Sequence, residues 1–138
     1  MTTNTKPIGV AYEDQNIIGA DKIYSDSEFG YTAAAQGTVT QLTDKSTAVT
    51  LNKSAGRITT ANVALNTITS VSFTLNNSLI SANDVLIVTL SGGIATNATY
   101  NCWVNSMSAG SASITLRNVS AGNLTEAVII NFALIHCV

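Results

Sequence analysis

Residues 70–78 read Ser-Val-Ser-Phe-Thr-Leu-Asn-Asn-Ser, and this stretch decides the fold class. Apolar residues occupy every second position, at Val71, Phe73 and Leu75, and serine or threonine fills the positions between them. A period of two places the apolar side chains on one face of a β-strand and the hydroxyl groups on the other. The residues that follow are turn formers, so the strand ends there. The stretch predicts one half-buried strand of a β-protein.

Short apolar segments separated by Gly-, Asn- and Ser-rich turns continue on both sides of this strand. No segment shows the period of a convincing amphipathic helix. About eight strands at a spacing of roughly 8–14 residues predict an all-β domain, a jelly-roll-like antiparallel β-sandwich. The other predicted strands lie at 38–42, 46–51, 57–60, 85–90, 100–104, 112–116 and 127–137. Residues 61–68 read as either a short helical turn or a loop.

Two of the predicted strands are continuously apolar. Residues 85–90 read Val-Leu-Ile-Val-Thr-Leu, and residues 127–137 keep Asn131 and His136 as their only strongly polar members. A strand that is apolar on both faces is a poor exposed edge. We therefore expect residues 127–137 to be buried on both faces, either at the centre of a sheet or against another subunit.

The chain changes character near Gly37. Residues 1–36 hold five of the eight acidic residues and show no sustained alternation. We interpret them as an N-terminal arm that lies on the domain body or on another chain, and residues 37–138 as the β-sandwich domain. Aromatic side chains supply much of the contact energy of extended segments. The candidate docking residues in the arm are Tyr12, Tyr24, Phe29 and Tyr31.

Composition indicates a protein that assembles with other chains. Hydrophobic residues make up 46% of the chain and charged residues only 10%, with a formal net charge of -2. Typical soluble domains carry roughly 25% charged residues, and interface centres are depleted in charge. Basic residues occur singly, which argues against nucleic-acid binding. No apolar run is long enough to span a membrane, and the polar residues after Met1 do not resemble a secretory signal.

The residues that carry chemistry are sparse. The single histidine, His136, lies in an apolar segment next to Cys137, and neighbours in a strand point to opposite faces. The paired carboxylates Glu13 and Asp14 lie in the polar arm, where solvation explains them. We therefore predict no catalytic residues, no metal site, no cofactor and no enzymatic activity.

Two further features leave alternatives open. Cys102 and Cys137 are expected to be free thiols that behave as small hydrophobes, although a bridge between neighbouring strands is the other reading. Trp103 points away from Tyr100, Cys102 and Val104 in an alternating segment. It could anchor an interface, fill a core, or stack on a sugar ring.

Several segments together resemble a module common in structural proteins of tailed phages and prophages. They are residues 37–53, residues 54–60, residues 71–78, residues 116–127 and residues 128–135, and they cover most of residues 37–136. The module is found as a small virion protein and within tail fibres, and it is similar to β-sandwiches that form trimers. Residues 1–36 lie outside the match, and the family carries over no catalytic residues.

The resemblance implies a capsid decoration, or cement, protein. Such a protein would form a homotrimer on the outer surface of a phage head, bind the major capsid protein and stabilise the particle. It would be synthesised in the host cytoplasm and located in the virion. The alternative is a tail or fibre module that binds a host-surface glycan through Trp103 or Tyr100.

Overall fold

The computed structural model describes residues 21–22 and 24–137. These residues form one short 3-10 turn, η1 (Ala33–Ala35), and ten strands. The strands are β1 (Gln36–Thr40), β2 (Val49–Thr50), β3 (Ala55–Thr59), β4 (Ala64–Leu65), β5 (Ser70–Asn76), β6 (Val85–Gly92), β7 (Tyr100–Ser108), β8 (Ser111–Asn118), β9 (Leu124–Thr125) and β10 (Ile129–Ile135).

Two four-stranded sheets make up the body of the domain. Sheet A has the strand order β1-β3-β10-β6, and sheet B has the order β2-β5-β8-β7. The short strands β4 and β9 form a separate two-stranded sheet. The prediction of an all-β sandwich is confirmed.

The core forms where the inner faces of the two sheets meet. Ile58, Ile130 and Leu134 of sheet A are fully buried. Leu75, Ile114 and Leu116 of sheet B are also fully buried and belong to the same apolar cluster. In β5, Phe73 and Leu75 are buried while the serines and threonines between them are exposed, so the alternation in residues 70–75 is confirmed.

The sequence predicted antiparallel sheets, but two strand pairs in the structure are parallel. β1 pairs with β3 in parallel, and β2 pairs with β5 in parallel. In the chain, β2 of sheet B lies between β1 and β3, and β3 of sheet A and β4 of the small sheet lie between β2 and β5. Gly37 lies opposite Gly56 in the first pair. A Cβ atom on Gly56 would approach the Phe132 ring to 2.7 Å. The jelly-roll connectivity stays a prediction.

β10 lies at the centre of sheet A, between β3 and β6, as predicted. Within the described residues its outer face is not covered, because Asn131 and Ile135 are exposed, and burial of that face against another subunit stays a prediction. β6 shows the same alternation, with Leu86 buried between the exposed residues Val85 and Ile87. The sandwich has only one covered face per sheet, so every second residue of these apolar runs faces outward.

The predicted strand at 46–51 is shorter in the structure, residues 61–68 follow the loop alternative, and a buried polar side chain holds each segment. The predicted strand at 46–51 shortens to β2, since the preceding loop is held by buried Gln41, which donates to the carbonyl oxygens of Lys45 (3.1 Å) and Thr47 (2.8 Å). Residues 61–68 form a loop that contains β4. Buried Asn118 holds this loop by donating to the carbonyl oxygens of Leu65 (2.9 Å) and Asn66 (3.1 Å).

Candidate interaction surfaces

The N-terminal segment is attached to one end of sheet A. The Tyr31 hydroxyl donates to the backbone carbonyl of Leu134, near the end of β10. Lys53 donates to the carbonyl of Ala34 at 2.8 Å, and Gln36 donates to the carbonyl of Tyr31 at 2.8 Å. The Leu134 N–H already donates to Ser54 at 2.8 Å. The Leu134 carbonyl lies just past the last paired residues of β10 and β3, and the Tyr31 hydroxyl donates to it.

The candidate docking residues divide into two groups. Tyr31 is held by the body and is 39% exposed, whereas Tyr24 is 82% exposed and Phe29 is 95% exposed. Tyr12 lies outside the described residues. An aromatic side chain gains free energy when its apolar area is removed from water, and an exposed ring lacks this gain. Tyr24 and Phe29 are thus placed to contact another molecule.

The outer face of sheet B carries hydroxyl and amide side chains and one exposed cation, Arg117, which lies between Ser70 and Asn101 in the register. Ser72 and Thr115 lie opposite each other and share a hydrogen bond of 2.8 Å between their hydroxyl oxygens. Trp103 lies on the other side of Thr115, in edge strand β7, and is 36% exposed. Tyr100, Cys102 and Val104 face the opposite way, as predicted. The candidate residue Trp103 and the candidate residue Tyr31 contact different sheets and do not form one site.

The outer face of sheet A carries an apolar strip, defined here as Val85, Ile87, Ala133 and Ile135. Ile135 lies directly opposite Val85, and Ala133 lies opposite Ile87, so the four side chains share one face. Val85, Ile87 and Ile135 are each about half exposed. The strip lies along edge strand β6 and its neighbour β10.

The other end of the same face is polar. Arg57 is exposed and lies between Thr38 and Asn131 in the register of the sheet. Ser91 donates to the side-chain oxygen of Asn131 at 2.9 Å. An open depression of about 560 Å³ lies over these residues. Sheet A therefore presents one apolar end and one polar end with a cationic group.

A buried lysine ties together three loops. Lys45 is 3% exposed, and its ammonium donates to the carbonyl of Ala61 at 2.6 Å and to the backbone carbonyl of Glu126. Burial lowers the pKa of Lys45, and the charge of Glu126 opposes that effect. Because a charged ammonium in an apolar environment requires such partners, we assign Lys45 a structural role at the loop junction.

Tyr100 lies close to the same junction. Its hydroxyl and the Oε2 atom of Glu126 are both buried, and neither has a hydrogen-bond partner among the described residues. Burial, followed by the charge of Glu126, raises the pKa of Tyr100 to about 12. Tyr100 is only 6% exposed. The predicted role of Tyr100 as a platform for a sugar is therefore wrong, because its ring belongs to the core.

His136 contacts Asp84, and Asp84 also contacts Ser81. The distance from His136 Nδ1 to Asp84 Oδ2 is 3.0 Å, and the Ser81 hydroxyl donates to Asp84 Oδ1 at 2.8 Å. In a serine nucleophile triad the histidine stands between serine and carboxylate, whereas here the carboxylate stands between the other two. Hydrogen bonds from the Ser81 N–H, then from the Ser81 hydroxyl, the Cys137 N–H and His136, hold the pKa of Asp84 below its usual range. This arrangement fixes the start of β6 to the end of β10.

The cysteines are both free thiols, as expected. Cys137 is exposed, and Cys102 is half-buried. Burial raises the pKa of the Cys102 thiol, which lowers its nucleophilic thiolate fraction. Within residues 21–22 and 24–137, no group of three or more His, Cys, Asp or Glu side chains could hold a metal ion.

No protein-family model, curated protein or solved structure matches the chain. In the described part of the chain, no helix has the length and apolar character needed to cross a membrane.

Sequence reasoning missed the apolar strip and the buried lysine. The strip had a signal in the run Val85-Leu-Ile-Val88, because every second residue of a strand covered on one face must point outward. Lys45 had no such signal, since it sits in a segment that is typical of an exposed turn.

Proposed function

We propose that this chain is a structural virion protein, a capsid decoration protein that forms trimers on the outer surface of a phage head. Its partners are further copies of itself and the major capsid protein, with no role for nucleic acid, membrane or catalysis. The family resemblance of residues 37–136 supports this reading. The observation that carries it is the N-terminal segment, which is held to the body at Tyr31 and presents Tyr24 and Phe29 to solvent.

Charge supports a docking role for this segment. Residues 1–36 contain five acidic and two basic residues, whereas the rest of the chain contains three acidic and four basic residues. The segment is therefore acidic, at -3, beside a body of +1. Aromatic residues would contribute most of the affinity for a capsid surface. The acidic residues would affect the association rate and its salt dependence.

The mechanism of stabilisation is mass action. A protein that binds only the assembled capsid lowers the free energy of that state by RT ln(1 + [L]/Kd), about 2.7 kcal/mol per site at a hundredfold excess over Kd. A trimer with three segments binds through several sites at once, so its overall avidity exceeds that of one segment.

The test combines location with a matched pair of variants. Cryo-electron microscopy of particles should place the chain on the head. The double variant Tyr24→Ser with Phe29→Ser should bind undecorated capsids at least tenfold more weakly than the wild type. Leu42→Ser is the control, because Leu42 is 90% exposed on the body. Location on the tail, or equal binding of all three proteins, contradicts the proposal.

A second candidate is a tail or fibre module that binds a host-surface glycan. Trp103 favours it, because this ring lies on a face lined by hydroxyl and amide groups, including Thr115 and Asn101. Aromatic rings with flanking polar groups suit sugar rings, which have an apolar face and polar rims. Trp103→Ala would abolish binding to host-surface polysaccharide, with Thr74→Ala on β5 as the control. Unchanged binding after Trp103→Ala would exclude this candidate.

A further inference from the structure

We propose that the β6 side of the sandwich is the contact surface between copies of this chain. Three copies place this side around a threefold axis, and the apolar strip of one copy packs beside β7, with Trp103, of the next copy. The inference deepens the proposed function, since it rests on the trimer as the assembled form. Its test requires no virus particle.

The first argument is the exposed edge of sheet A. Among residues 21–22 and 24–137, β6 hydrogen-bonds to β10 on one side only and stands at the end of the strand order. Its sequence, Val85 to Gly92, contains no charged residue and no proline. Natural edge strands normally carry charges, prolines or bulges that prevent pairing with other chains. The segment from Val85 to Leu90 has none of these, because its register with β10 is regular.

The opposite side of the sandwich is protected. Edge strand β1 follows η1 directly, and the Lys53 ammonium is held beside this turn by its bond to Ala34 at 2.8 Å. The corresponding edge of sheet B is β2, which is only two residues long. Short edge strands and nearby charges are the usual forms of protection. The contrast assigns the unprotected β6 side to a partner.

The identity of the partner follows from charge. β7, the edge of sheet B next to β6, also lacks any charged residue over its nine positions. A partner with a charged surface would lose the solvation of its charges without receiving ion pairs in return. A second copy supplies the uncharged strand β7, with Arg117 of β8 beside Asn101 as the one neighbouring charge in sheet B. It also supplies Trp103, a residue type enriched at the centres of interfaces.

β6 and β7 take different parts in this contact. The register of β7 shifts between Val104 and Ser106, so a bulge at Asn105 interrupts its edge. Bulges disrupt strand addition. The straight edge is therefore that of β6, and β7 contributes side chains. In a ring, the contact is between two different surfaces and closes after three copies.

The experiment compares two lysine substitutions at outward positions on the two edge strands of sheet A. Ile87→Lys lies on β6, and Thr40→Lys lies on β1; both side chains are exposed, so the fold accepts them. Light scattering at micromolar concentration should give about three times 14.3 kDa for the wild type and Thr40→Lys. Ile87→Lys should give the monomer mass, with the far-ultraviolet circular dichroism spectrum of the wild type and a lower thermal midpoint, because the stabilising association is lost.

Several outcomes would overturn the inference. If the wild type is a monomer or a dimer, the threefold contact does not exist. If Ile87→Lys is still a trimer, β6 is not part of the contact. If truncation of residues 1–30 yields monomers while Ile87→Lys does not, the N-terminal segment is the contact instead. Loss of the trimer in Ile87→Lys with the protein located on the tail upholds this inference and refutes the head location.

Discussion

β5 and β6 follow each other in the chain, yet their outer faces have opposite chemistry. β5 stands inside sheet B and turns Ser70, Ser72 and Thr74 outward. β6 stands at the edge of sheet A and turns Val85 and Ile87 outward. An interior strand exposes only one face of side chains, whereas an edge strand also exposes backbone donors and acceptors.

Under the inferred self-association, the difference separates a face that meets water from a face that meets another copy of the chain. A monomer would place its polar outer residues at the edge, where association is a hazard. This chain instead has polar residues on the outer face of interior strand β5 and apolar residues on the outer face of edge strand β6. The arrangement is suited to a chain whose β6 edge is covered in its assembled form.

The largest expected effect is the loss of stability when a core residue is truncated, and it should be similar for the inner faces of the two sheets. Ile114→Ala in sheet B and Ile130→Ala in sheet A each remove a fully buried side chain. We expect each to lower the free energy of unfolding by about 2–5 kcal/mol, measured by urea denaturation at one fixed protein concentration. Thr74→Ala is the control and should change it by no more than about 0.5 kcal/mol. A small loss at only one isoleucine would show that the sheets do not share one core.

Exchanging one outward-facing residue between the two strands should weaken self-association when the change is on β6 and leave it unchanged when the change is on β5. Ile87→Thr gives β6 a residue typical of β5 and should weaken self-association by roughly tenfold, about 1.4 kcal/mol. Thr74→Ile makes the opposite exchange on β5 and should leave the oligomeric state unchanged. Sedimentation equilibrium measures both. Association gained by Thr74→Ile would locate the interface on sheet B instead.

The attachment of the N-terminal segment distinguishes the two sheets further. Tyr31→Phe removes the hydroxyl that donates to Leu134 in sheet A. We expect a loss of about 0.5–1.5 kcal/mol in the free energy of unfolding. Tyr24→Phe is the matched control, because this ring is 82% exposed. Equal stability of the two variants would mean that the Tyr31 bond contributes nothing. Removal of residues 1–30 leaves the bond intact and should leave the domain folded.

Alkaline unfolding tests the burial of Tyr100 in sheet B. The pKa of this phenol is about 12 in the fold, against 10.0 as its ordinary value. Between these values the unfolded chain loses the proton first, so stability falls as pH rises from about 10 to about 12. Tyr100→Phe should remove this part of the loss, as seen in urea unfolding on either side of about pH 10. The lowered pKa of Lys45 acts in the opposite direction but is common to both proteins. An unchanged pH dependence would contradict the burial.

The smallest expected effect is a difference in reaction rate between the two thiols, which differ in solvent exposure. In the native protein, Cys137 should react with a thiol reagent quickly and Cys102 slowly, since burial raises the pKa of Cys102. Unfolded protein without reductant should show two thiols per chain. Cys137→Ser should remove the fast phase alone. A count of zero thiols would reveal a disulfide bond.

Some of the fold could be predicted because it depends on local pattern. The alternation at Val71, Phe73 and Leu75, the outward direction of Trp103 and the central place of β10 all follow from a period of two and from apolar content. The parallel pairing of β1 with β3 could not be predicted, because partner and direction depend on how the chain passes between sheets. The candidate residues in the arm could be selected by type, but only tertiary contacts separate Tyr31, held at Leu134, from Tyr24 and Phe29.

Strand period, turn residues and composition are local properties, so the amino-acid sequence was enough to identify a sparsely charged β-protein. Which residues those strands leave uncovered depends on tertiary packing and is visible only in the fold. Val85 and Ile87 are as apolar as Ile130 and Leu134, but they lie on the outer face of an edge strand. Lys45 is as polar as Lys53, but three loops enclose it. Burial depends on what packs above a residue, and that is set by segments far away in the chain.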